Sequence, residues 1–148
     1  MIIRKAVAAD ESQFVDLLKL FPPGEPMADW ALVGAAFQRV VKDPELGVVL
    51  VADEDGVLLG EITLSYPVAA RCGGVYTCIE EFMVSDKARG KGVGGKLMEA
   101  ALAEAKAKGC FEIQVNNPSQ MGYPVYLRYG FNDLGKHLKQ MLNCAGTV

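Results

Sequence analysis

Apolar and polar positions change their period several times along the chain, and each change marks an element. Ile2-Ile3-Arg4-Lys5-Ala6-Val7 reads as a first strand. Asp10 then precedes a stretch in which Phe14, Val15, Leu17 and Leu18 form an apolar stripe, which predicts a helix capped by Asp10 and reaching about Leu20. Phe21-Pro22-Pro23-Gly24-Glu25-Pro26 cannot continue it, because proline lacks a donor and fixes φ. A second helix is predicted from near Asp29, carrying Trp30, Leu32, Val33, Phe37, Val40 and Val41 and ending at Asp43-Pro44. Gly47 to Ala52 and Val57 to Tyr66 are apolar strand-length runs, and Asp53-Glu54-Asp55-Gly56 between them predicts a hairpin turn.

The second half begins with a loop, Pro67 to Gly74, and a strand over Val75 to Val84. A glycine-rich stretch follows and runs into a helix from about Gly92 to Lys108, where Val93, Leu97, Ala101 and Ala105 recur every fourth residue and Gly109 is the stop. Phe111 to Val115 is strand-like and is broken by Asn116-Asn117-Pro118-Ser119. A short helix over Tyr123 to Tyr129 and a closing hairpin over Phe131 to Leu142 complete the expectation. This order predicts an α/β architecture: one mixed, twisted sheet of about seven strands with about four helices, antiparallel first and with a parallel strand–helix–strand crossover later. No repeat, low-complexity segment or linker interrupts it, so residues 1–148 are expected to form one domain.

Composition adds exclusions. Hydrophobic residues make up 51% of the 148, enough for a core and too many for a disordered chain. A net charge of −3 predicts no general attraction to nucleic acid or to an anionic membrane. No signal-like h-region or spanning stretch is visible, so a cytoplasmic chain is expected. Cys72, Cys78, Cys110 and Cys144 lack C-x-x-C spacing and His137 is the one histidine, which argues against a metal site or a disulfide framework.

The candidate chemistry centres on Ile79-Glu80-Glu81-Phe82-Met83-Val84, the turn Ser85-Asp86-Lys87-Ala88, and Arg89-Gly90-Lys91-Gly92-Val93-Gly94-Gly95-Lys96. A strand that passes through glycines into a helix N-terminus offers bare backbone N–H groups and the positive end of a helix dipole, which suits a phosphate. Lys87, Arg89, Lys91 and Lys96 add local positive charge. Gly90, Gly92 and Gly95 fit the dinucleotide pattern G-x-G-x-x-G, but four residues separate them from the strand and no acidic residue ends the next one. Gly90 to Lys96 also fits G-x-x-x-x-G-K, yet Leu97 stands where that loop needs a magnesium-binding hydroxyl.

Arg89-Gly90-Lys91-Gly92-Val93-Gly94 fits [Arg/Gln]-x-x-Gly-x-[Gly/Ala] and, with the preceding strand and the later Tyr126-Leu127-Arg128-Tyr129-Gly130-Phe131, resembles the GNAT superfamily of N-acetyltransferases. The resemblance covers nearly the whole chain and implies the acyl-CoA N-acyltransferase fold, acetyl-CoA as cosubstrate and acetyl transfer to a primary amine by direct attack in a ternary complex. It implies CoA contacts from Phe82, Met83 and Val84, from Arg89, Gly90, Lys91, Gly92, Val93, Gly94 and Gly95, and from Tyr126. Tyr126 matches the tyrosine that protonates the departing thiolate, whereas Tyr123 and Tyr129 are out of register.

Glu80 resembles the family's base or amine-binding carboxylate, with Glu81 and water as alternatives, and strand alternation predicts opposite faces for the two glutamates. Where many members carry an asparagine this chain has Ser119, with Asn116 and Asn117 close by, so any of the three could make the remaining CoA contact. The segment from Phe21 to Trp30, with Glu25 and Asp29, falls where members shape the acceptor pocket. Cys78 and Cys110 have no histidine near in sequence, which argues against a cysteine acyl intermediate. The acceptor itself, a small molecule or a peptide, is not specified. Members often dimerise, so a homodimer is compatible. A CoA-binding sensor without turnover is the alternative class.

Overall fold

The computed structural model describes residues 1–148. Strand β1 (Ile2–Lys5) leads through a single helical turn, Ala8–Asp10, into α1 (Glu11–Leu18). The predicted cap is reassigned here: Asp10 makes no capping bond to α1. Its carboxylate instead accepts the Val7 N–H at 2.8 Å and two Arg4 donors at 2.8 and 3.0 Å. Arg4 also donates to Asp53 at 2.9 Å, so one guanidinium joins the buried Asp10 carboxylate to a half-buried one further along the chain. A two-residue strand β2 (Pro26–Met27) precedes α2 (Trp30–Lys42), whose start is capped by Asp29 accepting the Ala31 N–H at 2.9 Å.

Strands β3 (Gly47–Glu54) and β4 (Val57–Ser65) form the predicted hairpin. Asp55 and Gly56 both have positive φ, 53° and 86°, the turn geometry that matches the natural twist of two strands. A short ribbon, β5 (Val68–Ala69) with β6 (Gly74–Val75), leads to β7 (Thr77–Val84). Helix α3 (Val93–Lys108) crosses over to β8 (Ile113–Val115), which lies parallel to β7. Helix α4 (Tyr123–Arg128) follows, and β9 (Gly146–Thr147) pairs with β2.

The central sheet has five strands in the order β1-β3-β4-β7-β8, with two ribbons of two strands beside it. It is antiparallel except at β7–β8, as the element order predicts. The expected hairpin over Phe131 to Leu142 does not form; that stretch contains no strand. Its apolar residues find no face to cover: Leu134, Leu138 and Leu142 are all about nine-tenths exposed. A hairpin with no buried face has nothing to offset its ordering entropy.

Two cores cover the two faces of the sheet. On one, Leu50, Ile62 and Leu64 meet Val93, Leu97, Met98 and Ala101 of α3. On the other, Val49, Val51 and Leu58 meet Phe14, Leu17 and Leu18 of α1 and Phe37 of α2. Full burial of side chains such as Leu97 and Ile62 contributes about 1.5–3 kcal/mol each. No helix is long and apolar enough to cross a membrane.

Candidate active site

The glycine loop sits between the end of β7 and the start of α3. Gly90 and Gly92 take φ of 79° and 71°, a left-handed geometry that side chains disfavour, and Gly92 is the N-cap. The first intrahelical bond runs from the Lys96 N–H to the Gly92 carbonyl at 3.2 Å. The N–H groups of Val93, Gly94 and Gly95 therefore precede the helical ladder, and no side chain caps them. A Cβ built on Gly94 would point at Phe82 and Val84, 3.7 and 3.8 Å away, so its missing side chain keeps open the gap between helix start and strand end. This bare, dipole-backed turn fits the pyrophosphate of a CoA. Arg89 and Lys91 flank it in exposed pairs with Asp86 (2.8 Å) and Glu54 (3.2 Å), which cost little to give up.

Strand β8 accompanies β7 only at Thr77, Cys78 and Ile79. From Glu80 to Val84, the stretch that leads to the glycine loop, the β8 side of β7 has no strand partner. Phe82, Met83 and Val84 of that stretch are half-buried. Tyr126 of α4 lies against the same stretch, 7% exposed, its ring edge-on to Phe82 at 6.3 Å and to Phe131 at 5.4 Å. Burial, then the charges of Glu61 and Cys78, push the phenol up to about 12. Tyr129 is turned elsewhere: its hydroxyl sits over α3, 3.4 Å from the Gly95 carbonyl. Ser119 accepts the Gly122 N–H at 3.0 Å and so holds the approach to α4. Asn116 donates to the Cys78 sulfur at 3.6 Å, and Asn117 adopts a positive φ of 48° where the chain leaves β8.

The two glutamates do not alternate as predicted. Thr63 of β4 pairs with Glu81 and Leu64 with Ile79, so Glu80 is an extra residue with no partner opposite. This bulge bends β7 where β8 departs and re-aims its side chains. Glu80 and Glu81 consequently border one cavity of about 210 Å³ between α1, α2 and the sheet. Glu80 is exposed and accepts the Ser65 hydroxyl. Glu81 is pushed up to about 7, chiefly by burial; Thr63 offsets part of the rise and the Glu80 charge adds to it.

A third carboxyl was not flagged by sequence reasoning. Glu61 of β4 is wholly buried, accepts the Thr63 hydroxyl at 3.0 Å through Oε2, and has no partner for Oε1. Burial, and after it the Glu81 charge, holds its carboxyl well above the usual carboxylate range. The signal for it was a glutamate in the middle of the apolar run Leu58 to Leu64.

The other early candidates have structural partners. Asp29 caps α2, Glu25 lies 4.0 Å from Lys139, and Trp30 packs against the α1–α2 core with Lys19 over its ring. His137 is exposed. Cys78 is pushed up to about 11 by burial and by Glu80, which keeps the thiol protonated and poorly nucleophilic. No cluster of three or more His, Cys, Asp or Glu side chains is positioned to hold a metal ion. A second cavity of about 260 Å³, bordered by Tyr66, Glu104 and Lys108, lies at the far end of α3 from the glycine loop.

Comparison with known proteins agrees with this geometry. Residues 12–131 match the profile described as the acetyltransferase (GNAT) family. The chain is 28% identical over 135 residues to glucosamine 6-phosphate N-acetyltransferase 1 of Oryza sativa subsp. japonica, covering 87% of this chain and 79% of that protein. The crystal structure of glucosamine-6-phosphate N-acetyltransferase from Arabidopsis thaliana superposes with a TM-score of 0.79 at 20% identity, over 96% of this chain and 98% of that one. A predicted acetyltransferase of Clostridium acetobutylicum, solved with acetyl-CoA, gives 0.78 at 22% identity over 95% of each chain. A glycine-bare helix start, a strand parted from its neighbour and a profile match across four-fifths of the sequence converge on one conclusion: the chain belongs to the GNAT family of acetyltransferases.

Proposed function

We propose that the protein transfers an acetyl group from acetyl-CoA to a primary amine, by direct attack with both substrates bound. The observation that carries this reading is the parting of β7 from β8 at Ile79, which brings the glycine loop, Tyr126 and the two glutamates to one stretch of strand. Val93, Gly94 and Gly95 would hold the pyrophosphate by backbone N–H groups, with Arg89, Gly90, Lys91 and Gly92 shaping the loop. The backbone of Phe82, Met83 and Val84 would line the pantetheine arm. Acetyl-CoA supplies the acetyl group as an activated thioester.

Glu80, exposed at the cavity edge, draws in the ammonium form of the acceptor. Glu81 takes the ammonium proton; a carboxyl poised near 7 accepts a proton at neutral pH more effectively than one near 4.5. The Tyr126 hydroxyl delivers a proton to the departing sulfur, and its raised value ensures that the proton is present at neutral pH.

The test is release of free CoA from acetyl-CoA, followed with a thiol reagent over a panel of amines. Amine-dependent release is expected, with kcat/KM rising to a plateau above about pH 7 as Glu81 loses its proton. Tight CoA binding with no release for any amine would instead identify a sensor.

A further inference from the structure

The walls of the acceptor cavity carry no lysine, arginine or histidine. Most of its lining is apolar: Phe14 and Leu18 from α1, Phe21 from the connection, Val33 and Phe37 from α2, and Val49 from β3. The Phe14 and Phe37 rings lie 4.7 Å apart and make one aromatic wall. Polar character is concentrated at one end, where Thr63, Ser65, Glu80 and Glu81 face the sheet bend. At about 210 Å³ the space is smaller than the roughly 300–1,000 Å³ of pockets that enclose drug-sized ligands.

From this arrangement we infer that the acceptor is a small primary amine bearing a short aliphatic or aromatic group, and not a phosphorylated sugar. The inference rests on the transferase reading and deepens it. The ammonium end meets two carboxylates, and the hydrocarbon end is removed from water between α1 and α2. A sugar phosphate would bring a dianion and several hydroxyls into a space with no cation to pair the one and few polar atoms to satisfy the others. The relative from rice is named for glucosamine 6-phosphate, so this chain is expected to differ from it in substrate.

The comparison uses isoamylamine, phenethylamine, glucosamine and glucosamine 6-phosphate, with CoA release and calorimetric binding measured side by side. Both apolar amines should exceed both sugars in kcat/KM by at least about 100-fold. Equal or faster turnover of either sugar overturns the inference while leaving the transferase reading intact. Binding of the apolar amines without any CoA release upholds the apolar specificity and removes the transferase reading. Neither release nor binding of the apolar amines overturns the inference.

A variant tests the location. Ala36 borders the cavity and is exposed, so Ala36→Phe narrows the mouth without entering the core. It should raise the KM for phenethylamine about tenfold or more and leave the KM for acetyl-CoA unchanged. An unchanged amine KM in that variant would place the acceptor elsewhere.

Discussion

The Tyr126 ring is held edge-on by Phe82 and Phe131, so its hydroxyl can be removed without disturbing the packing that positions it. Tyr126→Phe should therefore lower turnover by about 10²–10⁴-fold, the range of a lost general acid, while CoA affinity changes little. Folding stability should stay within about 1 kcal/mol, since at most one hydrogen bond is lost. Tyr129→Phe is the comparison: that hydroxyl lies 3.4 Å from the Gly95 carbonyl beside the proposed pyrophosphate loop, so its loss should appear in the KM for acetyl-CoA and leave saturated turnover nearly intact. Turnover at saturating acetyl-CoA and amine is the quantity to measure. A Tyr126→Phe enzyme within about threefold of the parent would leave proton delivery to water. Tyr126 is singled out in the sequence by the family resemblance of Tyr126-Leu127-Arg128-Tyr129-Gly130-Phe131. The proposed division of labour between Glu80 and Glu81 is not legible there, because it depends on a bulge that only pairing with Thr63 and Leu64 reveals.

At the scale of elements, the turn from β7 into α3 has two kinds of glycine with different consequences. Gly92 has a positive φ, so a side chain there strains the backbone whether or not CoA is bound. Gly94 is helical, and a Cβ on it would meet only ordinary contacts, which separates folding from binding. Gly94→Leu should leave α3 intact and even favour it by up to about 1 kcal/mol in helix propensity. The longer side chain would fill the gap towards Phe82 and Val84 and raise the Kd for CoA by about tenfold or more. Calorimetric titration of CoA checks this, and unchanged affinity with a folded helix would remove the loop assignment. This element was the most legible part of the sequence. Strand, glycines and periodic helix are all short-range signals, and their order alone states which backbone groups are left bare.

Across the whole molecule, two carboxylate clusters on opposite arms of the pH scale should shape stability. Asp10 is held low by its hydrogen bonds to Arg4, so its contribution is present above about 3.8 and is lost as pH falls through its lower folded value. Glu61 and Glu81 are both raised, chiefly by burial, so their protonated forms favour the fold; this contribution is full below about 4.5 and fades as pH rises through the folded Glu81 value of about 7. A stability maximum at about pH 4 is the expected result, with stability falling steadily from there towards about pH 8. Glu61→Gln keeps the shape and cannot ionise, so urea unfolding of that variant should show a smaller loss over the same range. Equal pH dependence in parent and variant would mean that Glu61 ionises at no cost. By itself the sequence determined the order of the main elements from β1 to α4, the Asp55-Gly56 hairpin, the glycine loop with its helix, and the family they belong to. Each rests on neighbours within a few residues, where turn geometry and hydrophobic period act directly. The tertiary structure alone decided the bulge at Glu80, the burial of Glu61 beside Thr63 and Glu81, and the apolar cavity closed by α1 and α2. It also decided against a hairpin over Phe131 to Leu142, for want of a face to bury. Desolvation is a property of what surrounds a residue, and the atoms that surround these glutamates come from strands and helices distant in the chain.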